Sequence, residues 1–342
     1  MRDLKDFNLC ELETLLQDWG FPVFHAHQIF VWLYQKKASD FNSMSDLPLD
    51  LRKKLKENFY IQGLRVAEKR ISKDKTEKFV FKLWDKHFIE SVLIPTKTRI
   101  TVCLSSQVGC KFACRFCASG LKGFKRDLSV GEIMEQVLTL RNNSSGQKVT
   151  HIVFMGTGEP LDNYDRVLKA IRIINSDYSF HIGARRITIS TCGIIPGIKR
   201  LAQEGLQLEL SVSLHAAEDS SRTRLMPINK KYPLKELILA CEEYIKRTGR
   251  QITFEYILMK GINSDLQNAQ KLSKILKSVR PCKVNLIPSN SIEELKIGPP
   301  ERVKINLFRN YLFKENIPVT VRKGRGEDIE AACGQLRLRH EK

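Results

Sequence analysis

The stretch Arg99-Ile-Thr101-Val-Cys103-Leu-Ser105-Ser-Gln107-Val-Gly109-Cys110-Lys-Phe-Ala-Cys114-Arg-Phe-Cys117 runs an alternating strand pattern straight into three closely spaced cysteines. Ile100, Val102 and Leu104 fall on one side of such a strand, and Thr101, Cys103 and Ser105 on the other, because side chains alternate across a strand. The same grammar continues downstream. Strand-like runs at 99–105, 149–155, 185–190, 207–214, 251–258 and 283–288 alternate with helical patterns near 130–142, 163–175, 196–204, 234–247 and 265–279, and a sixth helix is expected at about 300–315. Repeated β-then-α order implies a parallel sheet with right-handed crossovers. The fold class is therefore α/β, an open partial (β/α)6 barrel smaller than the eight-unit form.

Parity inside these runs predicts which way the barrel faces. Glu209, Ser211, Ser213 and His215 oppose Leu208, Leu210, Val212 and Leu214, and Arg186, Thr188 and Ser190 oppose Ile187 and Ile189. The apolar side suits outer helices. The polar side suits a ligand-lined interior, or else the solvent side of an open sheet.

The three cysteines at 110, 114 and 117 carry the first chemical motif. Thiolates on one short loop can each bind one iron of a cubane cluster, leaving a fourth iron open to a small chelator. Structural zinc asks for four ligands, commonly in paired C-x-x-C spacings, and remains the alternative at this point. A second motif, Phe154-Met-Gly156-Thr-Gly158-Glu159-Pro160, closes the second strand. Glycine there permits close backbone approach to a ligand, and the Glu159 carboxylate is a candidate for an amino group. Ser190 ends the third strand, Ser213, Leu214 and His215 end the fourth, and Asn290 follows the sixth. All sit on the rim where barrel active sites gather. Each has a plain alternative, Ser190 and Asn290 as turn formers and His215 as a satisfied core histidine.

Outside the barrel, residues 8–37 place Leu12, Leu15, Leu16, Ile29, Phe30 and Leu33 at helical spacing, broken by Gly20-Phe21-Pro22 into two helices. Ser45 is the expected N-cap of a short helix over 46–58, with Pro48 near its first turn. Residues 61–95 read as strands, Glu77 to Leu83 and His87 to Pro95, turning at Asp85-Lys86. The expected division is a helical accessory domain at 1–60, a β-hairpin extension at 61–98, the barrel at 99–322 and a C-terminal tail at 323–342 that carries Cys333. Gly324, Gly326 and Gly334 predict that this tail is flexible.

The 342-residue chain has a formal charge of +19, from 57 basic and 38 acidic residues. The first sixty residues hold 8 Lys or Arg and 9 Asp or Glu, so the rest holds a net +20. A basic body of that size suits a polyanion such as RNA, or a merely solubilising surface. Leu121-Lys-Gly-Phe124-Lys125-Arg126 mixes an aromatic with cations and is a candidate for phosphate or base contact, or simply a solvated loop. Nine cysteines, an odd number, argue against a disulfide framework, and Cys10, Cys241 and Cys282 read as buried apolar groups. Met1 to Cys10 lacks an apolar signal core, and no apolar run reaches about eighteen residues; an unprocessed, cytoplasmic protein with no membrane span is expected.

Taken together, Cys103-Leu-Ser-Ser-Gln-Val-Gly-Cys110, Gly156-Thr-Gly158-Glu159-Pro160, Ser211-Val-Ser213-Leu-His215-Ala216, Met226-Pro-Ile-Asn229 and Ala331-Ala-Cys333-Gly-Gln335-Leu resemble the RlmN family, from about residue 20 to 336. Its members are radical S-adenosylmethionine (SAM) methyltransferases of dual specificity, acting on carbon 2 of adenine in 23S ribosomal RNA and in transfer RNA. The related Cfr family methylates carbon 8, and Val108 and Pro160 look more like RlmN. Ala118-Ser119, Thr157 and Cys192 depart from the usual pattern.

The resemblance implies a radical-SAM barrel with a [4Fe–4S] cluster on Cys110, Cys114 and Cys117, and SAM bound through Gly158, Glu159, Ser190, Ser213, Leu214, His215 and Asn290. It implies two SAM per turnover. Cys333 first accepts a methyl group. A deoxyadenosyl radical then takes hydrogen from it, and the methylene radical adds to adenine. Cys103 helps release product through a transient disulfide with Cys333, and Glu90 matches the proton acceptor. Partners implied are 23S rRNA, tRNA and a reducing protein electron donor, and a monomer is expected. On the residues alone, Cys103 also reads as a core thiol and Glu90 as a surface carboxylate. A basic RNA-binding protein with a structural Fe–S site, and a radical-SAM enzyme of small molecules, are the competing classes.

Overall fold

Alternation of apolar and polar residues resolves into one ten-stranded sheet. The computed structural model describes residues 1–61, 63–144, 146–290 and 298–336. The N-terminal region is helical, with α1 (Leu9–Asp18), α2 (Phe24–Phe30) and α3 (Leu49–Asn58), its ends tied by β1 (Arg2–Asp3) pairing in parallel with β2 (Phe59–Tyr60). Asn8 and Glu11 form a reciprocal capping box at α1. The expected cap at Ser45 is not used. Pro48 occupies the cap position of α3 with no side-chain bond, since its extended backbone already turns the chain into the helix.

Antiparallel strands β3 (Arg65–Ile71), β4 (Glu77–Lys82) and β5 (Phe88–Pro95) lead to β6 (Ile100–Cys103). A short ribbon of β7 (Gln107–Gly109) and β8 (Phe124–Asp127) then brackets the cysteine loop. Beyond it the β/α rhythm runs α4 (Val130–Asn142), β9 (His151–Phe154), α5 (Tyr164–Asn175), β10 (Ile187–Thr191), α6 (Ile195–Leu201), β11 (Glu209–Ser213), α7 (Asp219–Leu225), α8 (Leu234–Thr248), β12 (Ile252–Leu258), α9 (Leu266–Leu276), β13 (Cys282–Pro288), α10 (Arg302–Lys314) and β14 (Val319–Val321). Six of these parallel strands are the expected ones. The edge strands β3 and β14 were not anticipated. Among the described residues no helix is long and apolar enough to cross a membrane.

Register shows the predicted parity at work. Cys103 pairs with Val153, Ser190 with Ser211, Ser213 with Glu255 and Glu255 with Asn285, so these residues share one face. The opposite face, including Val102, Ile152, Ile189, Leu210, Val212, Phe254 and Val284, packs into the main core with the helices. Burying that many branched side chains is what closes the helices onto the sheet.

The N-terminal region is fastened to the barrel by a buried cation. Lys5, 1% exposed, lies 3.2 Å from Asp3 and 3.2 Å from Glu135 of α4. Burial raises the pKa of both carboxyls, and Lys5 opposes that rise. Replacing Lys5 with Met leaves two carboxylates buried without their cation. The expected loss is about 3–5 kcal/mol, read as a lower urea midpoint for the transition that releases this region.

Candidate active site

The cysteine loop is shaped by positions that tolerate no larger residue. Gly109 has φ +74°, and a Cβ there would lie 1.8 Å from the Gly123 carbonyl oxygen. That close approach lets Cys110 N–H donate to the same oxygen at 3.2 Å. Ala113 takes a left-handed φ of 48°, turning the chain so that Cys117 N–H donates to Cys114 O at 3.0 Å. Arg115 N–H donates to Leu225 O at 2.9 Å, anchoring the loop on α7. The three thiols line one side of a single cavity at the strand C-termini, with about 830 Å³ of unfilled space open at its mouth. Burial, with some repulsion between the thiols, pushes Cys110 up to about 12 and raises Cys114 and Cys117. Such thiols ionise readily only toward a strong cation. Among the described residues no three His, Cys, Asp or Glu converge as ligands of one ion would. A cubane needs no such convergence, since each thiolate takes a different iron; the donor set fits a cluster.

Opposite the loop lies the glycine-rich turn. A Cβ on Gly156 would meet Leu104 backbone at 2.7 Å, and one on Gly158 (φ +102°) would meet Gln107 at 2.5 Å. Glycine is thus required to press the turn against the start of the cysteine loop. Thr157 is fixed there too, its N–H donating to Ser105 Oγ at 2.8 Å. Glu159 is 4% exposed, accepting from Leu161 N at 3.0 Å and from Cys192 N at 2.7 Å. Desolvation raises its pKa despite these bonds. Its lone pairs have capacity for a further donor.

Ser190 and Ser213 line the cavity with Glu159. His215 does so in a strained left-handed conformation, φ 57°, with its ring 4.4 Å from Phe116 in an edge contact. Its Nδ1 accepts from Ile257 N–H at 3.0 Å, which leaves Nε2 to carry the proton of the neutral ring. Burial and the Arg222 charge push its pKa down to about 3. Leu214 is different. Its side chain is wholly within the main core, and its contact near the site is the backbone bond to Glu255 O at 3.0 Å. Asn290 does not line the cavity either, but donates to the Cys333 carbonyl at 3.0 Å.

Cys333 lines the cavity from the tail, which is strapped to the cysteine loop. Ala118 N–H donates to Gly334 O at 2.8 Å and Ser119 Oγ to Leu336 O at 3.1 Å. The strap is also held by the β3–β4 turn: Asp328 accepts from Ser72 Oγ at 2.5 Å and from Lys73 N at 3.1 Å. Cys103, 8% exposed, packs with Val92, Ala331 and Leu336 beneath the strap. Burial and then the neighbouring Cys333 push its pKa up to about 12. All nine cysteines are free, so the Cys103–Cys333 disulfide implied by the resemblance is not formed here, and Cys10 is exposed rather than buried.

Glu90 is no surface carboxylate. It is 3% exposed on β5, two residues from the Val92 that pairs with Cys103, and so on the same sheet face. Lys78 Nζ lies 3.3 Å from Glu90 Oε1 and 3.2 Å from the Glu330 carbonyl, joining strand and strap. Sequence reasoning missed Lys78 and also Glu255. The latter lines the cavity with Oε1 bonded to Asn285 at 3.0 Å and Oε2 buried without a hydrogen bond, 3.8 Å from Arg322. Thr253-Phe-Glu255-Tyr-Ile257 carried the alternation that identifies it.

Residues 2–61 match the ribosomal RNA large subunit methyltransferase N-terminal domain, and residues 104–272 match the radical SAM superfamily. A protein of Pelotomaculum thermopropionicum, named "Probable dual-specificity RNA methyltransferase RlmN", is 46% identical over 336 residues, 98% of this chain and 91% of that protein. The chain belongs to the RlmN family. A relative of the same name from Thermoanaerobacter sp. is 46% identical over 341 residues, 99% of each chain. The crystal structure of a radical SAM methyltransferase from Sphaerobacter thermophilus matches with a TM-score of 0.94 and 42% identity, over 99% of this chain and 100% of that one. RlmN kinship thus spans the helical region, the barrel and the tail.

Two outcomes follow from the geometry. Changing Cys110, Cys114 and Cys117 to Ala abolishes iron uptake and the visible thiolate-to-iron absorbance, while far-ultraviolet circular dichroism is retained. For the iron-free protein, His215 has a folded pKa below its usual value, so its contribution to stability is present above about pH 6.5 and is lost as pH falls toward 3. His215→Gln flattens the fall of melting temperature across that window.

Proposed function

We propose that this chain methylates carbon 2 of adenine in 23S ribosomal RNA and in transfer RNA, with Cys333 as the methyl carrier. The observation that carries the reading is the strap: it suspends Cys333 over the same cavity that the cluster cysteines and Glu159 line. Cys110, Cys114 and Cys117 would hold a [4Fe–4S] cluster, which together with SAM would supply the hydrogen-abstracting radical, one SAM being spent there and one to load Cys333.

This chain's own residues do the rest. Cys333 accepts a methyl group at its sulfur, on a cavity wall that it shares with the Arg322 guanidinium. After loss of one hydrogen, the methylene carbon on Cys333 bonds to adenine carbon 2, a position with no nucleophilic lone pair for polar methylation. Glu90, held by Lys78, receives the proton that leaves carbon 2. As the bond between the Cys333 sulfur and the methylene carbon breaks, Cys103, buried beneath the strap, bonds to that sulfur. The freed methylene takes up a proton to become the methyl group, and the disulfide radical takes one electron from the reducing partner and two protons to restore both thiols. Glu159, Ser190, Ser213, His215 and the Gly156–Gly158 backbone hold SAM, and Asn290 acts by fixing the Cys333 carbonyl. We assign the chain to the cytoplasm as a monomer served by a reducing protein. RlmN kinship supports an enzyme over a binding protein with a structural cluster, and the relatives' names support an RNA substrate over a small molecule.

Cys333→Ala is expected to abolish methylation while the cluster is retained. Nucleoside mass spectrometry of transfer RNA incubated with SAM and reductant reads it. Full activity in this variant discards the carrier role, and 8-methyladenosine in place of 2-methyladenosine assigns the chain to Cfr-type chemistry.

A further inference from the structure

One tryptophan, Trp84, is 69% exposed. Trp84 occupies the tight turn between β4 and β5. Exposed aromatics mark a contact site when they belong to a larger apolar patch rimmed by polar residues rather than standing alone. This turn is fixed by Arg126 of β8. Its Nε lies 2.6 Å from Asp85, its Nη1 and Nη2 bond both Glu132 oxygens at 2.8 Å, and its guanidinium carbon is 5.6 Å from the Trp84 ring centroid. A guanidinium spent on two carboxylates is a strut rather than a mobile anion binder.

A second exposed aromatic lies two residues from Arg126 on β8. Phe124, 37% exposed, and Leu121, 49% exposed, belong to the ribbon and its loop. Lys111 Nζ lies 5.7 Å from the Phe124 ring and 5.6 Å from the Phe112 ring, and Phe112 lines the cavity. Exposed Lys86 and Lys125 flank the same surface. Nearby acids are engaged by cations: Asp85 with Arg126, and Asp162 with Lys111 at 2.7 Å.

We infer that Trp84 and Phe124 form a stacking platform for unpaired RNA bases next to the target adenine, with Lys86 and Lys125 meeting the phosphates. The inference rests on the RNA reading above. A target base must leave its stack to enter the cavity, and its neighbours then lose stacking partners. Aromatic faces beside cations replace them without regard to base identity. The net charge of +19 favours a polyanion here over an apolar protein surface.

The test uses the cluster-loaded protein and an unmodified transfer RNA transcript. Trp84→Ala is expected to raise Kd and the KM for RNA about tenfold, the scale of one stacked base. Trp84→Phe recovers most of the affinity. The slope of log Kd against log salt stays at the wild-type value in Trp84→Ala, because stacking releases no counterions, and becomes shallower in Lys125→Ala. Iron content and methyl loading of Cys333 are unchanged in all three. Wild-type Kd and KM in Trp84→Ala overturn the platform, as does a change of sedimentation coefficient without a change in RNA affinity, which marks a self-association face. If the wild-type protein binds no transfer RNA, the RNA reading itself fails.

Discussion

The molecule is organised around a desolvation cost. Its sheet turns one face toward helices and gives that face to branched apolar side chains. The other face encloses thiols, two carboxylates and a neutral imidazole in a cavity that water only partly reaches. Burial favours the uncharged form of each, as the raised Glu159, Glu255 and Cys110 and the lowered His215 show. Groups held this way are poised for a partner that brings the opposite charge. Under the proposed function, an iron cluster would satisfy the thiols, and the positively charged groups of SAM would satisfy carboxylates. The same low dielectric strengthens every such contact once water is displaced.

The second organising element is the strap. Residues from four places converge on a short piece of tail: Ala118 and Ser119 after the cysteine loop, Asn290 after β13, Ser72 and Lys73 in the β3–β4 turn, and Lys78 inside the sheet. Most bonds run to tail carbonyls, so the backbone is gripped while the Cys333 side chain is left to the cavity. Ala118-Ser119 departs from the usual family pattern. It nonetheless supplies two of these bonds, one from a backbone N–H that any residue but proline offers.

Much of this was legible in the sequence. Periodicity located six strands and their helices because each strand buries one face against a helix, and that imprint is local. The cysteine spacing and the glycine turn were legible because steric demands at Gly109, Gly156 and Gly158 leave glycine no substitute. The edge strands were not. Arg65–Ile71 is largely exposed and strongly charged, and Val319–Val321 is three residues long, so neither carries a burial rhythm. Contacts across 250 residues, such as Lys78 with Glu330 or Ser72 with Asp328, leave no local trace. Glu90 looked like surface because a lone carboxylate in a strand gives no sign of the buried lysine beside it.

The account turns on the carbon of the transferred group passing through Cys333 and losing a hydrogen there. Supplying SAM with a fully deuterated methyl group, and analysing both products of one incubation by mass spectrometry, reads that step directly. The account predicts 2-methyladenosine retaining two of the three deuteriums, with the third found in 5′-deoxyadenosine. Intact transfer of all three, with no deuterium in 5′-deoxyadenosine, contradicts it.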